Sequence, residues 1–188
     1  MRTAILLHGK PDKDEYYSGE YPSASNSHWF PWLQKQLLIR EIAAHTPEIP
    51  HCYNPDYSVW RKEFERFDIT SETFLVGHSC GGGFIVRWLS EHPEVTVGKV
   101  ILVAPWLDPN RDDTTDFFDF EIDSNLAMRT KRITIFNSDD DYASVQETVK
   151  ILRNKLQNIH YREFHNHGHF CHKDLGTEAF PELLEELV

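Results

Sequence analysis

The sequence predicts an α/β domain with a doubly wound, mainly parallel sheet and helices on both faces. Short apolar runs alternate with amphipathic stretches along the chain, which is typical of parallel strands joined by right-handed helical crossovers. The 188 residues are the size of one domain, and no stretch rich in Pro, Gly or Ser divides them. We therefore expect a single domain over residues 1–188.

The strands and helices follow from the hydrophobic pattern. The predicted strands span 3–7, 73–76, 97–104, 132–136 and 160–164, with 49–53 as a weak candidate. The predicted helices span 29–44, 59–67, 82–92, 145–156 and 177–187, and loops are predicted at 10–27 and 105–130. Ligands of such sheets bind beyond the carboxyl ends of the strands, so the residues that follow each strand are the candidates for a site.

The charge balance excludes several kinds of partner. Lys plus Arg number 19 and Asp plus Glu number 30, which gives a net charge of −11 with histidine neutral. Nucleic acid and anionic membrane surfaces both require clustered basic residues, so neither is an expected partner. No apolar run reaches the roughly 20 residues of a membrane helix, and the start does not resemble a signal peptide. With only three cysteines and no disulfide framework, a cytoplasmic location is expected.

The strongest motif is the pentapeptide 77–81, Gly-His-Ser-Cys-Gly, between a predicted strand and a predicted helix. A serine at such a sharp turn stands free of both elements at the positive end of the helix, and the flanking glycines let the strand and helix approach. The motif therefore predicts Ser79 as a nucleophile. The alternative is a glycine-rich turn in which Ser79 only caps the helix.

A serine nucleophile needs a base to take its proton and an acid to orient that base. In this type of site the chain order is serine, acid, histidine, and carboxylates follow the predicted strand 132–136. Asp141 is the favoured acid, ahead of Asp140 and then Asp139. Because adjacent carboxylates repel one another, the two that are not used should face water.

The base is expected after the last predicted strand, where histidines cluster. His169 is favoured because Gly168 permits a tight turn before it and Phe170 can pack the loop onto the core. His165 and His167 are the other candidates.

The oxyanion of an acyl-transfer reaction needs two backbone donors. The amide of Cys80, at the start of the helix, is one, and Lys10 supplies the other because Pro11 has no amide hydrogen. The residues expected to line the substrate pocket are His8, Gly9, His78, Trp29 and Trp106. For His8, a structural hydrogen bond to the loop is as well supported as a substrate contact.

These residues resemble a known family. The pentapeptide 77–81, the run 138–141 (Ser-Asp-Asp-Asp) and the turn 168–170 (Gly-His-Phe) are similar to the α/β-hydrolase superfamily. Within it they resemble the small serine hydrolases grouped with retinoblastoma-binding protein 9 and the bacterial YdeN proteins, as do the segments 29–32 and 101–103. The resemblance implies about six strands in the order 2-1-3-4-5-6 without a large cap domain. It also supports Asp141, because the last aspartate of the cluster is the triad member in that family.

The expected function is hydrolysis of a small ester or amide through an acyl-enzyme on Ser79, most simply as a carboxylesterase. The choice between an ester and an amide or peptide bond stays open, since both share this route. Neither a cofactor nor a metal is required. The expected partner is a small-molecule substrate, and the chain is expected to be a monomer or a weak homodimer.

Three alternatives compete with this interpretation. The histidine-rich segment could bind zinc or nickel through side chains of ligating type: His165, His167, His169, Cys171 and His172. Cys80 could act as the nucleophile in place of Ser79. Finally, a hydrolase fold can serve as a non-catalytic binding protein, because fold does not imply function.

Overall fold

A computed structural model describes residues 2–113 and 115–188. Its six strands form one sheet in the order β2-β1-β3-β4-β5-β6, and all five neighbouring pairs are parallel. The strands are β1 (Arg2–Leu7), β2 (Ile42–His45), β3 (Thr73–His78), β4 (Val97–Val103), β5 (Thr130–Ser138) and β6 (His160–Phe164). The predicted fold class and strand order are confirmed.

Helices connect the strands and cover the sheet. They are α1 (Lys13–Tyr17), α2 (Phe30–Ile39), α3 (Tyr57–Phe64), α4 (Cys80–Glu91), α5 (Ala143–Lys155), α6 (His172–Leu175) and α7 (Pro181–Leu187). Two 3₁₀ turns lie at Ala24–Asn26 and Leu126–Arg129. Across residues 2–113 and 115–188, no helix has both the length and the apolar character that a bilayer crossing requires.

The prediction for the second strand was wrong. The helix predicted to reach residue 44 ends at Ile39, and the chain turns at Glu41, whose φ is 60°. Ile42 then pairs with Arg2 of β1 and is completely buried. Its spacing from the preceding apolar residues fits a helix, but pairing with β1 overrides that local pattern. The weak strand candidate at 49–53 is a turn, and the Ile49 N–H donates to the His8 ring instead of a strand.

The segment predicted as the first long loop contains α1 and a 3₁₀ turn. Near the other end of the chain, α7 begins at Pro181, four residues later than predicted, and the single turn of α6 was not predicted. Pro181 occupies the first helical position, where its missing N–H is not needed.

Packing in the core, much of it aromatic, supports the edge of the sheet at which the strands end. Every residue of β3 is buried, so the strand that leads into Ser79 is held on both faces. Near β5 and β6, Phe170 stacks on Phe180 with ring centroids 5.6 Å apart, and both are fully buried. Burying an aromatic side chain of this size stabilises the fold by about 1.5–3 kcal/mol. The loop that carries His169 is therefore anchored to the core by its next residue, as predicted for Phe170.

Candidate active site

Ser79 lies at a strained turn between β3 and α4. Its φ is 53° and its ψ −119°, a conformation that side-chain-bearing residues rarely adopt. The backbone is held in place because Ser79 N–H donates to the Val103 carbonyl at 2.9 Å, while Ser79 O accepts from Gly82 N–H at 3.0 Å. The strain therefore persists, and it turns the side chain away from both elements.

The glycines of the motif are required by close backbone contact. A Cβ at Gly77 would lie 2.6 Å from the Gly82 nitrogen, and one at Gly81 would lie 2.5 Å from the carbonyl oxygens of Leu7 and His8. Both distances are shorter than any real contact. The start of α4 thus packs directly on β3 and on the end of β1, which is the close approach inferred from the spacing of the motif.

His169 and Asp141 form a hydrogen-bonded pair. His169 Nδ1 lies 2.9 Å from Asp141 Oδ1 and 3.0 Å from Oδ2. The Asp141 side chain is fully buried, whereas that of His169 is 15% exposed. A carboxylate at Nδ1 requires the ring to carry its proton there, so Nε2 is the nitrogen with a free lone pair. This arrangement suits a general base oriented by a carboxylate.

The other two aspartates of the cluster contact different parts of the same loop. Asp139 accepts from His165 Nδ1 at 2.6 Å, and this bond lowers the Asp139 pKa. Asp140 accepts from Ser138 Oγ at 2.6 Å and from Gly168 N–H at 2.9 Å, and these bonds lower its pKa too. Each carboxylate therefore has its own partners.

The remaining histidines of this segment are occupied elsewhere. His165 is exposed and bonded to Asp139, and His167 Nδ1 lies 2.8 Å from the His165 carbonyl. The histidines are thus directed to separate partners, which does not favour the metal site considered from the sequence. The Cys80 thiol is fully buried and burial raises its pKa well above the usual value, which argues against a cysteine nucleophile.

The backbone of His169 is fixed from both sides by residues that the sequence argument did not assign to this role. Asp174 accepts from His169 N–H at 3.0 Å and from Cys171 N–H at 3.1 Å. His78 Nε2 donates to the His169 carbonyl at 2.7 Å. The Cys-x-x-Asp spacing of a capping box could have indicated Asp174.

Two residues predicted for the pocket, His8 and Trp29, make structural contacts, and for His8 these include the loop hydrogen bond given as the alternative to a substrate contact. His8 is buried, with Nδ1 2.7 Å from the Gly9 carbonyl and Nε2 accepting from Ile49 N–H at 3.1 Å, so neither nitrogen is available to a substrate. Burial lowers its pKa, which keeps the ring neutral. Although ligating atoms of His8, Glu48 and Cys52 lie within 4.8 Å of one another, a metal there would have to break one of these bonds. Trp29 is completely buried, and its Nε1–H donates to the Phe170 carbonyl at 3.2 Å.

His78 is also buried rather than open to a ligand. Burial, with the nearby charges of His169 and His28, holds its pKa well below the usual range. With Nε2 committed to the His169 carbonyl, His78 ties the Ser79 turn to the loop that carries His169. Its Nδ1 has no hydrogen-bond partner in the described part of the chain.

Gly9, Lys10 and Trp106 lie at the mouth of the site. A Cβ at Gly9 would lie 3.1 Å from Ser79 Cβ, so the loop after β1 passes directly over the turn that carries Ser79. Trp106 is half-buried, and its backbone N–H donates to the Ser79 carbonyl at 3.0 Å. Lys10 Nζ lies 5.8 Å from the Trp106 ring. Cys80 is the first residue of α4, where helix geometry leaves its N–H without an intrahelical partner.

His28 is a neighbour of the site that follows no strand and therefore carried no sequence signal. Its φ of 57° turns the chain just before α2. The ring centroid lies 5.6 Å from that of His78, and Nδ1 accepts from His172 N–H at 3.3 Å. Burial, followed by the charge of His169, lowers the His28 pKa to about 4.

Comparison with known proteins identifies the family. Residues 19–188 match the serine hydrolase family. The chain belongs to the serine hydrolase family.

A relative and two solved structures are similar to this chain. The Bacillus subtilis (strain 168) protein YdeN is 29% identical over 186 residues, covering 94% of this chain and 95% of YdeN. The YdeN crystal structure superposes with a TM-score of 0.82 at 24% identity, covering 100% of this chain and 97% of YdeN. A Paleococcus ferrophilus monoacylglycerol lipase shares the fold, with a TM-score of 0.65 at 14% identity, and covers 98% of this chain and 93% of its own.

Replacing Ser79 by glycine should relieve the backbone strain. We expect Ser79→Gly to be more stable than Ser79→Ala by about 1 kcal/mol, because glycine adopts this conformation without a Cβ penalty. Both variants lack the hydroxyl, so they differ only at Cβ. Urea unfolding followed by circular dichroism measures the difference. A Ser79→Gly protein no more stable than Ser79→Ala would show that this turn stores no strain.

Acidification should destabilise this serine hydrolase partly through His28. The folded pKa of about 4 lies below the unfolded value of 6.5, so the unfolded state takes up the proton first. The free energy of unfolding therefore falls as the pH drops from 6.5 towards 4. We expect His28 to account for about 1–2 kcal/mol of the loss between pH 7 and pH 5.

The variant His28→Asn should lose correspondingly less stability over that range, measured as urea unfolding at both pH values. Asparagine suits the positive φ at this position. His51→Asn is the matched control, since His51 also has a positive φ, of 55°, but is exposed. An unchanged pH dependence in His28→Asn would contradict the prediction.

Proposed function

We propose that this serine hydrolase cleaves a small ester or amide through an acyl-enzyme formed on Ser79. The observation that carries the proposal is the pairing of His169 Nδ1 with the buried Asp141 carboxylate. The His169 carbonyl is bonded to His78, the residue before Ser79, and Ser79 is held at positive φ. A buried carboxylate at Nδ1 leaves Nε2 as a base, and the strained turn presents a hydroxyl at a helix N-terminus. These are the parts that acyl transfer requires.

In the proposed reaction, Ser79 Oγ attacks the substrate carbonyl carbon while His169 Nε2 takes the hydroxyl proton. Asp141 stabilises the resulting imidazolium. The N–H groups of Cys80 and Lys10 hold the oxyanion, and His169 then gives its proton to the leaving group. A water molecule, activated by His169, attacks the acyl-enzyme and regenerates Ser79. We expect the hydrogen bond between Ser79 Oγ and His169 Nε2 to form on substrate binding, because catalytic hydrogen bonds often tighten only then.

The shape of the mouth favours a substrate of modest size. Residues 2–113 and 115–188 contain no separate cap domain, and the proposed walls are α1 and the loop after β4. Both carry aromatic side chains, including Tyr16 and Trp106. Tyr142 is 60% exposed with its ring 5.3 Å from that of His169, so it provides an apolar rim beside the base. We propose an apolar acyl or aromatic group, neutral or cationic given the net charge of −11.

The proposed compartment is the cytoplasm. Cys52, Cys80 and Cys171 are all free, which suits a reducing environment. Burial raises the pKa of Cys52 and of Cys171 to about 12, so these thiols are unreactive. The proposed mechanism needs neither a metal nor an organic cofactor.

Covalent labelling tests the nucleophile. A fluorophosphonate probe should give one adduct on Ser79 in the wild-type chain and none in Ser79→Ala, read by intact mass and peptide mapping. His169→Ala should also abolish labelling, because the hydroxyl then has no base. A folded wild-type chain that takes up no probe would favour a non-catalytic binding protein on this fold.

The three neighbouring aspartates provide a matched series for the acid. Asp141→Asn should lower kcat for p-nitrophenyl acetate by about 10³–10⁴-fold, because the base loses its orienting charge and tautomer. Asp139→Asn should cost little, since Asp139 contacts only the exposed His165 and the Asn166 N–H. Asp140→Asn should fall between them, because Asp140 holds Gly168 beside the base. If Asp140→Asn were the most damaging change, the acid would be Asp140.

A further inference from the structure

The proposed oxyanion donor, Lys10, lies in a short loop between β1 and α1. His8 fixes its start through bonds to Gly9 and Ile49. After Lys10 comes Pro11, which has no N–H to anchor the backbone. In residues 2–113 and 115–188, no acceptor bonds the Lys10 N–H. The side chain of Lys10 is therefore a second point, besides the flanking β1 and α1, at which this part of the loop is fixed.

That side chain is held by Asp113. Lys10 Nζ donates to Asp113 Oδ2 at 2.6 Å, and the side chains are 31% and 12% exposed respectively. The two residues come from different loops, one after β1 and the other after β4. Partial burial strengthens such a pair relative to one in open solvent. The ion pair therefore joins the two loops across the mouth of the site.

Asp113 is itself rigidly placed. The carboxylate of Asp108 accepts from Asp112 N–H at 2.8 Å and from Asp113 N–H at 2.9 Å, and Asp108 is only 8% exposed. Near the start of the same loop, the backbone N–H of Trp106 is bonded to the Ser79 carbonyl. A continuous path of contacts thus runs from the nucleophile turn through this loop to Asp113 and back to Lys10.

We propose that Asp113 is a positioning residue that, through its ion pair with Lys10, holds the Lys10 amide towards the oxyanion. The inference rests on the proposed function and goes beyond it, because Asp113 contacts neither Ser79 nor His169. An oxyanion donor acts in the transition state more than in the ground state. Loss of the ion pair should therefore lower kcat and leave KM nearly unchanged.

The test compares two adjacent substitutions with the same change of charge. Asp113→Asn removes the partner of Lys10, whereas Asp112→Asn alters an exposed carboxylate of the same loop. With p-nitrophenyl acetate, we expect Asp113→Asn to lower kcat about 10-fold, part of the 10²–10³-fold cost of deleting a donor. KM should stay within about two-fold, Asp112→Asn should match the wild type, and Asp113→Glu should recover part of the loss.

Each outcome decides between named alternatives. Equal kcat values for Asp113→Asn and Asp112→Asn, with an active wild type, would overturn the inference and leave the proposed function intact. A wild type that neither hydrolyses the ester nor labels at Ser79 would overturn the proposed function and this inference with it. If Asp113→Asn does not fold, Lys10→Met is the second test. It breaks the same ion pair but keeps the backbone amide at position 10, so it should show the same loss of kcat.

Discussion

The close approach of α4 to β1 and β3 is the constraint on which the rest of the site depends. The helix starts one residue after the turn, and its first backbone atoms lie against the carbonyls of Leu7 and His8. This contact leaves no room for Cβ at Gly77 or Gly81 and forces positive φ on Ser79. The loop after β1 also passes close to Ser79, since a Cβ at Gly9 would lie 3.1 Å from Ser79 Cβ. The proposed nucleophile and the loop of the proposed oxyanion donor are therefore held close together by backbone packing.

The path of the loop that carries His169 is set by electrostatic contacts rather than by steric packing. Three adjacent carboxylates would repel one another if they shared a single partner. Instead, Asp139 binds the start of the loop, Asp140 binds its glycine, and Asp141 binds His169. The cluster therefore defines the path of the loop as well as orienting the base. Asp174 and His78 then fix the His169 backbone from the other side.

The sheet and the polar residues at its edge could be predicted from sequence because both depend on local pattern. Apolar runs identified β1, β3, β4, β5 and β6, and the parallel arrangement placed the residues after them at one edge. β2 could not be found this way, because its four residues continue the helical spacing of α2 and become a strand only by pairing with β1. For His8, the sequence offered a structural bond to the neighbouring loop as one of two alternatives, and the bond to Gly9 fits it. The bonds of His8 to Ile49 and of Trp29 to Phe170 were hidden, because periodicity does not reveal backbone partners far away in the sequence.

The two buried histidines beside His169 are poor proton acceptors, which bears on its proposed role as the base. His28 and His78 lie beside His169, and desolvation is the largest cause of the lowered pKa of both. A positive charge on His169 lowers these pKa values further. In the proposed mechanism, a proton taken up by His169 is therefore not passed to either ring, and the buried Asp141 carboxylate at Nδ1 stabilises the charge. The proton then stays available for the leaving group, which is the transfer that the proposed acyl-enzyme route requires.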